Sequence, residues 1–379
     1  MLREHFLTVA DKDAWERYLP ANRYVFGSLG YARVCHTFRG WSPRLYVVDS
    51  NEAVISYPLM LRPLSNLPFQ VDSKAKWDAI SPQFTGPLMS GGDAEAAAAF
   101  PNLLNALFQG ECIVAEFAHL HPWSQFGSLL KKEDCHYDRD IVWIDAGLSL
   151  DDLWRTHLEY ACRKQIKQAE RAGVRVITAS SDDHIREFYR VYRHTMERNE
   201  AGESYYLSYE FFRAFRDELP ENATFVLGEY RDRIVSGALC LHDRDDVFAL
   251  YGGADSEFHH VRPTNAYFWG MIRWAHEAGK KRIVLGGGNS ANDGIFRFKA
   301  GFSRLRQPFF VYKHVHLPNE YATLEHRYRE FSGLSTEEIN YFPVYRHRRP
   351  ATQQSKSGLA PVRSGSEPPP GYMSPVVAG

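Results

Sequence analysis

Cysteine is scarce in this chain of 379 residues, and the five present, Cys35, Cys112, Cys135, Cys162 and Cys240, are scattered with no C-x-x-C pair. An odd, dispersed set argues against a disulfide framework or a thiolate zinc site and favours a reducing compartment. Long apolar runs are missing as well: no stretch approaches the ~20 apolar residues of a membrane span. The opening MLREHFLTVADKD is too polar for a secretory signal, so the expected localisation is cytoplasmic. Charge of one sign is not in excess either, the formal net charge being -1. That argues against a protein devoted to wrapping nucleic acid, and leaves room for a local basic patch. The sequence contains no G-x-S-x-G, no H-E-x-x-H and no nucleophilic cysteine motif.

What is present is ample core material. Hydrophobic residues make up 44% and aromatic residues 14%, with 21 Tyr and 24 Phe, and the length suits two domains. From about Arg349 the chain turns rich in Pro, Ser and Gly, and a disordered tail is expected over 349–379.

The first half reads as a short helix at 11–18, strands at 44–49 and 53–61, a loop at 81–88 (SPQFTGPL), a helix at 94–108 and strands at 111–117 and 141–144. The second half opens with a helix predicted over 150–172 and capped by Gly173, then a strand at 174–177. A helix follows over 182–198, with Ile185, Phe188, Tyr189, Tyr192 and Met196 at helical spacing. Strands at 224–230 and 234–243 form a hairpin, 247–252 is a further strand, 265–278 a helix closed by Gly279, and 281–285 a strand entering GGGN. The order is mixed α/β, with a mainly antiparallel start and one β-α-β crossover.

That order resembles the GNAT acyltransferase fold. The helix at 265–278 falls where GNAT enzymes hold the pyrophosphate of coenzyme A, on a loop of the type Q/R-x-x-G-x-G/A. Here the loop DSEFHHVRPTNA has no glycine, and Pro263 removes a donor. A second resemblance accounts for this. The ordered segments SPQFTGPL, EFAHLHP, YACRKQIKQAERAGVRV, FYRVYRHTMERNEAGESYY, ALYGGAD, NAYFWGMIRWAHEAGKKRIVLGGG and GIFRFKAGF are similar to those of the FemABX family. Its members are aminoacyl-tRNA-dependent transferases built from two GNAT-like domains. The resemblance implies an α/β (α+β) fold with mixed sheets flanked by helices, the second domain inserted in the first. Residues 1–145 plus 312–348 would form domain 1 and 146–311 domain 2, with substrates in the cleft between them.

Site residues follow from the same resemblance. Lys299 in RFKAGF matches the lysine that stabilises the tetrahedral oxyanion, and Phe298 would line the channel for the activated ester. Arg198 closes a T-x-x-R segment that grips substrate phosphate in the family, a task suited to a planar guanidinium. The same arginine would also sit well at a helix C-terminus for dipole reasons alone. Tyr206 and Tyr251 are the matching hydroxyl partners; the sequence does not separate Tyr206 from Tyr205 in register.

Other features have plainer readings. Arg163, Lys164, Lys167 and Arg171 read as a solvated helix face, with a phosphate-contact strip as the alternative. Gly286–Gly288 with Asn289 permit a tight turn and lack the Lys-Ser/Thr of a P-loop. His119 and His121 make neither a zinc site nor an acid–base pair, and His242, His259 and His260 do not obviously converge with them. The missing nucleophile motifs fit a direct transfer, and no ATP, metal or redox cofactor is expected. The leading reading is amide formation from aminoacyl-tRNA as co-substrate to an amine, on a cell-wall precursor or a small molecule such as an antibiotic intermediate. Acyl-CoA- or carrier-dependent N-acyl transfer and a non-catalytic binding protein are the alternatives. No general base is identifiable, and the oligomeric state is open.

Overall fold

The computed structural model describes residues 2–71, 73–124, 126–288, 293–334, 339 and 341–347. The tail expected at 349–379 and Asn289 of the GGGN run lie outside the described residues. The chain divides into two compact units, one holding residues 2–19, 26–138 and 310–347 and the other 20–25 and 139–309.

The first unit contains β1 (Arg3–Leu7), α1 (Lys12–Tyr18), α2 (Leu29–Arg39), β2 (Ser42–Asp49), β3 (Ala53–Pro63), β4 (Trp77–Ile80), β5 (Leu88–Gly91), α3 (Ala94–Gly110) and β6 (Ile113–His119). The chain leaves it along β7 (Cys135–Asp145), returns along β13 (Arg306–Val315), and adds α10 (Pro318–Ser332). Its strands run β1-β2-β3-β4-β6-β13, with β5 on β3. All pairs given are antiparallel except β4 with β6. Phe100, Leu104 and Phe108 of α3 pack on Tyr46, Tyr57, Leu59 and Ile113 to form its core.

The second unit contains a helical turn α4 (Leu150–Asp152) and α5 (Tyr160–Ala172), then β8 (Arg175–Thr178), α6 (Asp182–Arg198) and α7 (Tyr209–Glu218). Strands β9 (Ala223–Tyr230), β10 (Arg233–His242) and β11 (Asp246–Ala254) follow, then α8 (Pro263–Glu277), β12 (Arg282–Gly286) and α9 (Gly294–Ala300). The strand order is β8-β9-β10-β11-β12-β7. Each unit therefore repeats one plan: four strands joined in sequence order, a parallel fifth strand reached through a helix, and an antiparallel sixth. In this unit the parallel step is β11–α8–β12. The fold is mixed α/β, with sheets flanked by helices.

Local signals placed most of these elements. Ser181 caps α6 by accepting from His184 N, and Gly173 closes α5 at φ 90°. The β9–β10 turn uses Arg231 and Asp232 at φ 50° and 58°, the left-handed pair that a tight hairpin requires. One reading fails. The helix expected over 150–172 is broken: a π-helical stretch at Leu153–His157 ends at Leu158, and Glu159 is extended before α5 begins. Two contacts explain the break. Glu159 N donates to Gly301 O at 2.9 Å, and the Arg163 guanidinium donates to the carbonyls of Trp154, Arg155 and Leu158. Carbonyls that a continuous helix would pair with backbone N–H groups are satisfied by a side chain, and the Glu159 N–H by a carbonyl outside the helix.

Candidate functional site

The site is built around the end of β12. That strand pairs with β11 only from Arg282 to Val284, against Asp246 to Phe248, while β11 runs on to Ala254. β12 ends at Gly286 in the left-handed region, φ 80°, and the chain turns through Gly287 and Gly288. A side chain on either would displace a neighbour. A Cβ on Gly287 would lie 2.8 Å from Cδ of Arg139, and one on Gly288 would lie 2.2 Å from Oδ1 of Asp293. Gly286 thus supplies the left-handed turn, Gly287 and Gly288 are closely surrounded, and no phosphate cradle is needed to explain them.

Asp293 starts α9 as its N-cap, Oδ1 accepting from Phe296 N at 2.8 Å. One turn on, Lys299 is 0% exposed, and its Nζ donates to Gly287 O at 2.8 Å. Arg139 of β7 donates from Nη1 to Gly288 O at 2.7 Å. The wall is aromatic: Phe302 stacks on Phe268 at 4.8 Å, and Phe298 meets both edge-on at 5.4 and 5.1 Å. Burial is the largest influence on the Lys299 amine and lowers its pKa to about 7, Asp293 pulling it up and Arg139 pushing it down. The expected pair Lys299 and Phe298 therefore shares one short helix, with the lysine buried and the phenylalanine partly so.

The other expected residues gather around α6. Gly253 lets α6 approach β11, since a Cβ there would lie 2.6 Å from Oγ1 of Thr195. Thr195 Oγ1 accepts from Ala254 N at 3.0 Å. One turn further, Arg198 Nη1 donates to Ala254 O at 3.2 Å and lies 3.3 Å from Nε2 of His259. Tyr206 is 38% exposed, its hydroxyl donating to Met196 O, and the Arg193 guanidinium sits 5.5 Å from its ring centre. Tyr205 instead offers its carbonyl to the Tyr192 hydroxyl. The Tyr251 ring lies among Tyr192, Phe211, Phe212 and Phe215, a packing position. The polar partner of Lys299 is the glycine turn and those of Arg198 are Ala254 and His259, so the candidates fall into two sets.

The basic run on α5 is divided in the same way. Arg163 is occupied with backbone carbonyls, and Lys167 lies 5.7 Å from the Trp154 ring centre. Sequence reasoning did not single out Arg139 or Asp293, and it set His259 aside. The N-cap pattern of an aspartate ahead of GIFRF could have revealed Asp293. Nothing local marks Arg139, which reaches the turn from a strand distant in sequence. Among the described residues no group of three or more His, Cys, Asp or Glu is placed to hold a metal ion, and no helix is long and apolar enough to cross a membrane.

Ahead of α8, the glycine-free loop forms a 3₁₀ turn at Ser256–Val261. Arg262 then takes the left-handed conformation at φ 55°, and Pro263 occupies the first helical position.

Comparison with known proteins places this geometry. Residues 157–300 match the family model for an acetyltransferase (GNAT) domain. The crystal structure of FemX superposes with a TM-score of 0.64 at 14% identity, covering 85% of this chain and 100% of that one. A conserved protein of unknown function from Bacteroides thetaiotaomicron gives 0.54 at 11% identity, covering 83% and 99%. No curated protein sequence matches the chain. At these identities the structural likeness is one of fold. Residues 157–300 are thus similar to a GNAT acetyltransferase domain, in a chain that shares its fold with FemX.

Proposed function

We propose that this protein is an aminoacyl transferase, moving an aminoacyl group from aminoacyl-tRNA to the amine of a cell-wall precursor or of a small molecule such as an antibiotic intermediate. One observation carries the reading: a fully buried lysine whose Nζ donates to the carbonyl of a glycine turn at the open end of a parallel strand pair. A lysine in that setting costs folding free energy, which is unusual for a residue without a task.

The chemistry needs little more. The acceptor nitrogen attacks the ester carbonyl, a C–N bond forms, and negative charge develops on the former carbonyl oxygen. Lys299, with a pKa near 7, is drawn into its ammonium form by that charge and donates to it in a desolvated setting. The ester C–O bond then breaks, and the tRNA 3′ oxygen leaves with a proton that the amine has lost. Because the ester is already activated, positioning and oxyanion stabilisation suffice. Arg198, exposed beside His259, is the residue we assign to a substrate phosphate, and Phe298 to the wall of the ester channel.

The acyl-CoA alternative is disfavoured by the loop ahead of α8. Arg262 stands in a left-handed position that glycine fills most readily, and Pro263 leaves the helix start one N–H short for a pyrophosphate. The test is incubation with a charged tRNA pool and a panel of amines, including a UDP-linked muropeptide, with mass spectrometry for a new amide. Lys299→Ala should lower the rate by ~10²–10³ with folding intact. Unchanged turnover in that variant defeats the assignment of Lys299. Release of free thiol from acetyl-CoA, with no amide from charged tRNA, would replace the donor.

A further inference from the structure

Resting on the reading of Lys299 as the group that meets the oxyanion, we propose that Arg139 and Asp293 are its positioning residues: they pin the Gly287–Gly288 turn and bias the charge state of the buried amine in opposite directions. The turn presents two successive carbonyls to two cations on different elements, Gly287 O to Lys299 Nζ at 2.8 Å and Gly288 O to Arg139 Nη1 at 2.7 Å. Arg139 and Asp293 also occupy the space that side chains on these glycines would need. The turn is therefore clamped between β7 and the start of α9, and Lys299 is held against the clamped segment. Asp293 is itself fixed, because it caps α9 through Phe296 N.

The electrostatics are opposed. Asp293 is the carboxylate that favours the Lys299 ammonium, and Arg139 is the like charge that disfavours it. Asp293 and Arg139 are the charges that act on Lys299. Asp140 and Glu159 act on Arg306, whose Nη1 is bonded to the carbonyls of Ser303 and Leu305. A lysine meant to respond to developing negative charge should be neither firmly protonated nor firmly neutral at rest; burial brings Lys299 to that balance, and one neighbour of each sign adjusts it.

The experiment uses the full chain carrying lysine labelled with ¹³C and ¹⁵N at the side-chain terminus. The Lys299 resonance is identified by its loss in Lys299→Met and followed against pH in the wild type, Arg139→Gln, Arg139→Lys and Asp293→Asn. The midpoint should move to higher pH in Arg139→Gln, return toward wild type in Arg139→Lys, and move to lower pH in Asp293→Asn. Asp293→Ser, which keeps a capping acceptor without the charge, carries the test where Arg139→Gln does not fold, and should lower the midpoint as well. An unmoved midpoint overturns the proposal. So does a rise in the arginine and aspartate variants alike, which is what mere loosening and entry of water would produce. The pH–rate profile should follow the same directions on charged tRNA and amine. The resonance needs no substrate, so opposed shifts in a protein inactive on charged tRNA would support this inference and defeat the aminoacyl reading alone.

Discussion

Replacing Lys299 by methionine should change how stability depends on pH, and the size of the effect follows from burial. The folded chain holds this proton less tightly than the unfolded chain, the pKa falling from 10.5 to about 7 on folding. Between those values the unfolded state carries more protons, so stability rises with pH, and below about pH 7 the full cost of a buried cation is present. At about 1.4 kcal/mol per pH unit, that cost is on the order of 5 kcal/mol. Lys299→Met removes it and loses one hydrogen bond to Gly287 O, an offset of about 1 kcal/mol that does not vary with pH. The assay is urea unfolding of both proteins between about pH 6 and about pH 9, read by circular dichroism. All other titrating groups are shared and cancel in the difference. The wild type should gain on the variant by about 1.4 kcal/mol for each pH unit above 7, with no gain below it. Parallel stability curves across that range would refute the claim that this amine is desolvated.

Two further outcomes concern packing and charge. Gly270→Ala on α8 would ordinarily strengthen a helix by ~0.5–1 kcal/mol. Here the new Cβ would lie 2.2 Å from Cγ1 of the β-branched Val176, so a loss of about 1–3 kcal/mol is expected from thermal unfolding, and a gain would contradict the packing. In the first unit, Asp78 is fully buried between Arg62 and Arg346, with Nε to carboxylate distances of 2.6 and 2.8 Å. Burial alone would raise its pKa, but the two guanidiniums outweigh that and hold the carboxyl below its ordinary range. Asp78→Asn leaves two buried arginines without their counter-charge and should cost about 3–5 kcal/mol near neutral pH by urea unfolding. A cost under about 1 kcal/mol would mean that water reaches the pair.

Local chemistry in the sequence was enough for what depends on neighbours along the chain. The span of α6 follows from its apolar spacing and the Ser181 cap, the stop of α5 from Gly173, and the β9–β10 hairpin from two strand-like runs around Arg231–Arg233. The mixed α/β class could be read from element order, and the buried Lys299 was singled out by resemblance, although burial itself has no sequence signature. Helix α7 went unread, although Ser208 caps it and Phe211, Phe212 and Phe215 bury one side.

Tertiary contacts decided the rest, because a backbone carbonyl or a charge takes whichever partner folding brings near. The helix expected from 150 to 172 breaks where the Arg163 side chain and the carbonyl of Gly301 take up backbone groups in place of the helical ladder. Tyr206 is separated from Tyr205 only by the fold, which leaves the first ring exposed and turns the carbonyl of the second to Tyr192. Arg139 meets Gly288 across 149 positions of sequence, and no local pattern encodes so remote a contact. The identity of a lysine at 299 is written in the chain; the depressed proton affinity that makes it chemically interesting comes from its burial in the folded protein, which Asp293 opposes and Arg139 reinforces.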